Sequence, residues 1–237
     1  MSYAEPPRSF YPIITALFTA TLIISNVAAS KGVSFFGDQS LALGPLQILP
    51  INTDGAFFLF PLAYVLGDVL SEVYGFRAAR RTVITGFVTL LLASACFWIT
   101  IQLPAASFYE NQASLEAVIG VVPRLVLAGV IAYLAGQLLN SAVLVWIKNR
   151  YGERRLWVRL IGSTVVGEFA DTLIFCSIAA GAIGITTAAD FINYVIVGFL
   201  WKTLVEVLVM PITYRVIAVL KRREPTYTDP DKVPTPA

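Results

Sequence analysis

Three pairs of ionisable residues interrupt long apolar stretches of this sequence, each at a spacing of three or four residues. Side chains at this spacing lie on one face of an α-helix. Carboxylates on such a face accept hydrogen bonds from N–H donors, bind protons or pair with a cation. The predicted chemistry is recognition of a ligand rich in N–H groups or positive charge. The pairs are Asp68 with Glu72, Glu168 with Asp171, and Lys202 with Glu206.

The charge balance of these pairs is uneven. They contain five acids and one lysine, and the chain has no histidine. Five unpaired anions would be too costly to bury in an apolar medium, so some must be protonated or must await a ligand. Any proton coupling would therefore have to use carboxylates.

Amide and aromatic residues in the same stretches are further candidates for a polar cavity. Gln137 and Asn140 share a helix face, and Asn26 lies near the end of the first stretch. Phe175 lies four residues after Asp171, where it could stack on a flat ligand. The structural alternative for the amides and the charges is a polar network that holds helices together.

The apolar stretches that carry these residues predict an all-α membrane protein. Hydrophobic residues make up 57% of the 237 residues and charged residues 14%, against about 25% charged in an average soluble domain. Each stretch supplies the ~20 apolar residues that a spanning helix needs. The prediction is one six-helix transmembrane domain over residues 1–222 and a disordered cytoplasmic tail over 223–237. The stretches are 12–30, 56–75, 83–103, 122–147, 158–186 and 191–220.

Three of the predicted helices place ionisable residues near mid-membrane by this interpretation. Asp68 is roughly 10 Å from Gly75 and Glu168 is roughly 14 Å from Arg159 at ~1.5 Å per residue. At ~1.5 Å per residue, Asp171 is roughly 18 Å from Arg159 and Lys202 about 16 Å from Phe191. Ionisable groups at such depth cost at least ~2.5–3.5 kcal/mol each and usually face a cavity or a partner. Transporters build substrate sites at this depth.

The distribution of basic residues predicts the orientation. Fourteen of the 17 lysines and arginines lie on one side of the predicted spans, two lie on the other, and Lys202 lies within a span. Basic loops remain in the cytoplasm, so both termini are predicted there. The spans divide into two sets of three that would be inverted relative to each other. The 31–55 loop is predicted to be either re-entrant or surface-lying.

A set of short motifs resembles the VUT family of vitamin uptake transporters, which includes the bacterial queuosine-precursor transporters. The resemblance covers about residues 20–222, and the motif in the second span is its most specific part. One departure is Glu168, near which the family more often has an amide. The motifs are Phe60-Pro61-Leu62-Ala63-Tyr64, Asp68, Glu72-Val73-Tyr74-Gly75, Ala79-Arg80-Arg81, Ser25-Asn26 with Lys31, Gly136-Gln137, Arg159 with Ser163-Thr164, Asp171-Thr172, Phe175, Lys202, Glu206 and Pro211.

The resemblance implies import of 7-cyano- and 7-aminomethyl-7-deazaguanine across the inner membrane by alternating access. Asp68 and Asp171 are the first candidates for recognising the base. The predicted substrate-binding set is Asn26, Asp68, Gln137, Asn140, Glu168, Asp171 and Phe175. The predicted gating or charge-pairing set is Glu72, Arg77, Arg80, Arg81, Lys202 and Glu206.

Three other functions stay open. A vitamin- or nucleobase-binding subunit could depend on an ATP-driven partner, since the chain has no nucleotide-binding loop. An intramembrane enzyme could use paired aspartates, but the sequence has no histidine for a catalytic couple or a metal motif. A scaffold would use the charges only to hold helices together. No cofactor, metal or nucleic acid is expected; the lipid bilayer, a small deazaguanine and a second copy in a homodimer are the expected partners.

Overall fold

The computed structural model describes residues 8–43, 46–151 and 156–227. Within these ranges most residues are helical, and a short segment after the first helix is extended. The helices are α1 (Tyr11–Ala28), α2 (Phe60–Gln102), α3 (Gln112–Ile119), α4 (Val122–Tyr151), α5 (Leu156–Ala179) and α6 (Ala188–Arg223). The strands are β1 (Gly32–Phe35), β2 (Leu41–Leu43), β3 (Leu46–Leu49) and β4 (Ile51–Asp54).

Five helical segments of the described chain are long and apolar enough to cross a membrane. Many of their large apolar side chains point away from the protein; Leu138, for example, is 71% exposed. Such faces suit a lipid environment, in which apolar side chains need no protein cover. The sequence predicts six spans, and the difference lies in α2. The segments are Tyr11–Ala28, Pro61–Gln102, Gln112–Asn140, Val165–Ala182 and Ala188–Arg223.

The α2 segment is interrupted at Gly75, where the predicted second and third spans meet. Gly75 has φ 78° and ψ 168°, a backbone conformation that is essentially restricted to glycine. A continuous helix of 42 residues would be about 63 Å long, twice the ~30 Å hydrocarbon core. The break therefore divides α2 into two parts, α2a before Gly75 and α2b after it.

The contacts of α1 show that the chain reverses direction at this break. The Tyr11 ring lies 5.3 Å from the Tyr74 ring, and the Tyr11 hydroxyl donates a hydrogen bond to the Ala78 carbonyl at 3.2 Å. Further along α1, Phe18 shares a buried cluster with Leu66 and also lies beside Gly86. α1 therefore runs antiparallel to α2a and parallel to α2b.

The segment between α1 and α2 contains four short β-strands. Strands β1 and β4 pair antiparallel, as do β2 and β3. The all-α prediction did not include these strands, which are only three or four residues long and pair with one another within the same segment. Pairing gives their backbone groups hydrogen-bond partners that a simple loop would lack. We call the segment 32–54 the β-cap.

The β-cap is fastened to the first turns of α6. The Asn52 backbone N–H donates to the Asn193 side chain at 2.9 Å, and the Asn52 side chain donates to Asp190 at 3.1 Å. The Tyr194 hydroxyl donates to Asp54 at 2.7 Å. These hydrogen bonds connect residues about 140 positions apart in sequence, so they fix the β-cap against the helices.

A second polar cluster joins the two ends of the described chain near Gly75. The Glu224 carboxylate accepts hydrogen bonds from the Phe10 backbone at 2.9 Å and from the Tyr74 hydroxyl and the Thr226 hydroxyl, both at 2.6 Å. Burial acts to raise the pKa of Glu224, but these donors together lower it to about 2. Residues up to Tyr227 therefore contact the helices, although the tail was predicted to begin at residue 223. Residues 228–237 lie outside the described residues, and their disorder stays a prediction.

Candidate functional site

A cavity of about 250 Å³ lies between α1, α2b, α4, α5 and α6. Its walls are mostly apolar, with a few polar side chains facing each other across it. This composition is typical of small-molecule sites, although the volume is slightly below the usual range of about 300–1,000 Å³. The lining residues are Leu22, Ser25, Asn26, Ala29, Ala56, Phe87, Leu90, Val126, Gly129, Val130, Tyr133, Asp171, Phe175 and Lys202.

Four of the predicted site residues line this cavity. Asn26 comes from α1, Asp171 and Phe175 from α5, and Lys202 from α6. Asp171 and Phe175 are separated by one helical turn, so they present a carboxylate and an aromatic ring to the same space. The structure thus brings together residues that are up to 176 positions apart in sequence.

An ion pair between α5 and α6 provides the charged part of the cavity wall. Lys202 Nζ lies 2.8 Å from Asp171 Oδ2, with side-chain exposures of 15% and 28%. Removing such charges from water costs several kcal/mol per ion unless a partner is present. The sequence pairs Lys202 with Glu206, whose side chain lies outside the described residues, and the structure gives Lys202 the partner Asp171.

Close packing of α4 on α5 determines the position of Asp171. A Cβ atom added to Gly136 would lie 2.9 Å from the Gly167 carbonyl oxygen and 3.0 Å from Asp171 Cβ. Only a residue without a side chain allows this approach, as is common where small residues meet in membrane helices. Gly136 therefore holds the backbone of α5 in place directly beside the ion pair.

The other predicted substrate-binding residues do not line the cavity in this conformation. Asp68 is exposed on α2a and Glu168 is half-buried on α5, and both interact with other groups of the protein. Asn140 is half-buried against Gly167, and its Oδ1 is buried without a hydrogen-bond partner among the described residues. The side chain of Gln137 lies outside the described part of the chain. Their roles in binding stay predictions.

Four residues of the predicted gating set, Glu72, Arg77, Arg80 and Arg81, lie within six positions of Gly75 in the sequence, whereas Lys202 lines the cavity. Glu72 pairs with Lys221 of α6 at 3.4 Å, so α2a and α6 are joined here by opposite charges. The sequence suggests Arg77, Arg80 or Arg81 as partners of Glu72, and these arginines are exposed on α2b. Because the Glu72 side chain is largely exposed and that of Lys221 is partly exposed, the pair contributes little free energy.

The sequence analysis did not predict two aromatic residues that line the cavity, Phe87 and Tyr133. Phe87 of α2b and Tyr133 of α4 pack edge to face with ring centroids 5.2 Å apart. A signal was available for Tyr133, since Val126, Gly129 and Tyr133 recur at helical spacing on one face that leads toward Gln137. Phe87 gives no such signal, because the third apolar stretch is apolar on all sides.

Trp201, the residue before Lys202, makes a structural contact outside the cavity lining. Its indole N–H donates to the Phe57 carbonyl at 3.1 Å, and the Trp201 and Phe57 rings lie 6.0 Å apart. Trp201 therefore holds the segment that leads from the β-cap into α2a against α6.

Comparisons with known proteins agree on one family. The family profile described as "Putative vitamin uptake transporter" matches residues 54–216. The chain is 34% identical to the "Probable queuosine precursor transporter" of Bacillus subtilis over 81% of this chain and 78% of that protein. No solved structure matches the chain at a significant level.

Two further relatives carry similar names. The "Queuosine precursor transporter" of Escherichia coli is 29% identical over 57% of this chain and 58% of its own length. The "Probable queuosine precursor transporter" of Haemophilus influenzae is 28% identical over 58% and 56%. These names are those of transporters and not of enzymes. With its apolar helices, the chain is a multi-pass membrane protein, and it belongs to the vitamin uptake transporter (VUT) family.

Proposed function

We propose that this protein imports queuosine precursors, the 7-cyano and 7-aminomethyl 7-deazaguanines, across the inner membrane. The names of the three relatives support this substrate class. The observation that carries the proposal is the cavity between five helical segments, which the Asp171–Lys202 ion pair and the aromatic residues Phe87, Tyr133 and Phe175 line together.

Asp171 is the proposed recognition residue. A guanine-like base presents a ring N–H and an exocyclic amino group side by side, and a carboxylate accepts two such hydrogen bonds in parallel. Lys202 already holds one carboxylate oxygen at 2.8 Å, so it orients Asp171 toward the cavity. Asn26 on α1 donates one amide hydrogen to the Leu22 carbonyl at 2.9 Å and keeps a second N–H for the base carbonyl, and the Ser25 hydroxyl, which donates to the same carbonyl, keeps its oxygen as an acceptor.

Aromatic side chains provide the proposed stacking surface. Phe175 lies on α5 beside Asp171, and Phe87 and Tyr133 approach from α2b and α4. A base stacked on an aromatic side chain gains about 1–3 kcal/mol, largely independent of its hydrogen bonding. The site would therefore combine an apolar stacking surface with one edge, at Asp171, that accepts hydrogen bonds from the N–H groups of the base.

The proposed transport mechanism is alternating access with six membrane crossings and both termini in the cytoplasm. Reversal of the chain at Gly75 supports two crossings within α2. Polar contacts of the β-cap with α6 and of Glu224 with Tyr74 lie at opposite ends of the cavity helices. Opening one set while the other stays closed would expose the cavity to one side at a time.

Uptake of labelled 7-cyano-7-deazaguanine by cells that cannot synthesise it tests the proposal. We expect Asp171→Asn to lower the uptake rate at least tenfold, since an amide accepts one hydrogen bond where the carboxylate accepts two. Glu116→Gln, on the exposed face of α3, is the matched control and should retain wild-type uptake. Wild-type uptake by a correctly inserted Asp171→Asn protein would refute the site.

A further inference from the structure

A buried carboxylate outside the proposed substrate site lies two residues before Ala56, which lines the cavity. Asp54, the last residue of β4, has only 3% of its surface exposed. Its Oδ1 accepts the Ala56 backbone N–H at 2.9 Å, and its Oδ2 accepts the Tyr194 hydroxyl at 2.7 Å. Because Ala56 itself lines the cavity, Asp54 is only two residues away from it.

The direct contacts of Asp54 are electrically neutral. In the part of the chain that the structure describes, Lys202 forms an ion pair with Asp171 and Lys221 forms one with Glu72, and neither pair includes Asp54. Burial raises the pKa of Asp54 above its usual range, and the opposing effects of Tyr194, the Ala56 N–H and the charge of Lys202 are smaller. Asp54 is thus a carboxylate for which the buried state favours the protonated form.

We propose that Asp54 is the proton-binding site that couples import of the base to the proton gradient. The inference rests on the transport function proposed above. A proton from the solution on the β-cap side binds the Asp54 carboxylate and makes it neutral. The same proton leaves to the opposite side, through the cavity that Ala56 lines, when that side opens.

The β-cap gives this site a mechanical connection to transport. The Tyr194–Asp54 hydrogen bond joins the β-cap to α6, so separation of the two would expose Asp54 to water. In water the pKa of Asp54 falls toward that of an ordinary aspartate. A group with a higher pKa when buried binds a proton on burial, so low pH favours the closed β-cap and rising pH favours the open one.

The neighbouring titratable groups leave this role to Asp54. Tyr194 and Lys202 face it from α6, and Cys176 and Asp171 lie nearby on α5. Tyr194 donates its hydroxyl hydrogen to Asp54, Cys176 is a buried thiol, and Asp171 is held in an ion pair with Lys202. The acid in this group whose direct contacts are all neutral is Asp54.

The geometry favours a proton over a sodium ion. Hard metal cations require several oxygen lone pairs around them. Both recorded contacts of Asp54 are instead hydrogen atoms, one on nitrogen and one on the Tyr194 hydroxyl. A protonated Asp54 can keep the Ala56 bond through its other oxygen and donate to the Tyr194 oxygen, because a hydroxyl also accepts.

Purified protein in liposomes with the membrane potential clamped at zero tests the coupling. For one proton per molecule of neutral 7-cyano-7-deazaguanine, an outside medium one pH unit more acidic should raise accumulation about tenfold. Exchange of labelled for unlabelled base across equal pH needs no net proton movement. We expect Asp54→Asn, which resembles the protonated acid, to retain exchange and to lose the pH-driven accumulation. Asp190→Asn, in the same contact between β-cap and α6, should retain both.

The outcomes separate the coupling from transport itself. Wild-type protein that exchanges the base but ignores the pH gradient refutes the coupling and leaves the transport function intact. Wild-type protein that neither binds nor exchanges the base refutes the proposed function. Gradient-driven accumulation by Asp54→Asn refutes the role of this residue.

A measurement on the wild-type chain covers the case in which Asp54→Asn does not fold. A pH-sensitive dye inside the liposomes should report acidification when external 7-cyano-7-deazaguanine is added at equal pH, in proportion to base uptake. Uptake of base without acidification, in protein that exchanges normally, would overturn the proposal.

Discussion

Asp171 and Lys202 are the residues on which the proposed recognition of the base depends. Their ion pair joins Lys202 Nζ to Asp171 Oδ2 at 2.8 Å, and both residues line the cavity. Asp171 could be predicted as a site residue because a carboxylate in an apolar stretch needs a partner or a ligand. Its partner could not be predicted, since the rotation of α5 against α6 depends on tertiary packing, including that of Gly136 on α5.

Lys202→Met should change which precursor the transporter prefers. The substitution removes a positive charge from the cavity wall and leaves the Asp171 carboxylate to bind other cations. We expect uptake of the cationic 7-aminomethyl compound to rise relative to the neutral 7-cyano compound by about tenfold, which corresponds to ~1.4 kcal/mol. Competition between the two labelled bases measures the ratio.

The control for this variant is a lysine away from the cavity. Lys221→Met removes the partner of Glu72 at the Gly75 end and should leave the substrate ratio unchanged. An unchanged ratio in Lys202→Met protein that still transports would show that Lys202 does not contribute to substrate choice.

At the scale of the helices, the reversal at Gly75 is the feature that most affects the architecture. Apolar length predicted the helices well, because about 20 apolar residues in series have few alternatives to a spanning helix. The β-cap was not predicted because its strands are short and because β1 pairs with β4 and not with the next strand in the sequence. Asp54 was missed for the same reason, since its burial depends on docking of the β-cap to α6.

Gly75→Ala should destabilise the protein strongly. The φ of 78° and ψ of 168° are sparsely populated by residues with a Cβ atom, and such strain costs about 1–3 kcal/mol. Gly67→Ala is the matched control, because Gly67 lies within α2a and an added Cβ atom would meet nothing within 4 Å. We expect a lower thermal unfolding temperature for Gly75→Ala and an equal or higher one for Gly67→Ala. Equal unfolding temperatures in both variants would contradict a chain reversal that depends on this glycine.

At the scale of the whole molecule, two polar contacts lie at opposite ends of the helices that line the cavity. The β-cap meets α6 at one end, and Glu224 binds Tyr74 and the Phe10 backbone at the other. Both would have to open in turn for a bound base to cross the membrane. This arrangement favours a complete transporter over a binding subunit, because the chain contains both contacts as well as the cavity.

Transport by the purified chain alone in liposomes tests this central claim most directly. The account predicts that labelled 7-cyano-7-deazaguanine enters liposomes that contain only this protein and no ATP, and that Asp171→Asn liposomes take it up at least ten times more slowly. Liposomes in which the inserted protein binds the base but does not carry it across would contradict the account and would indicate a subunit that depends on an energy-supplying partner.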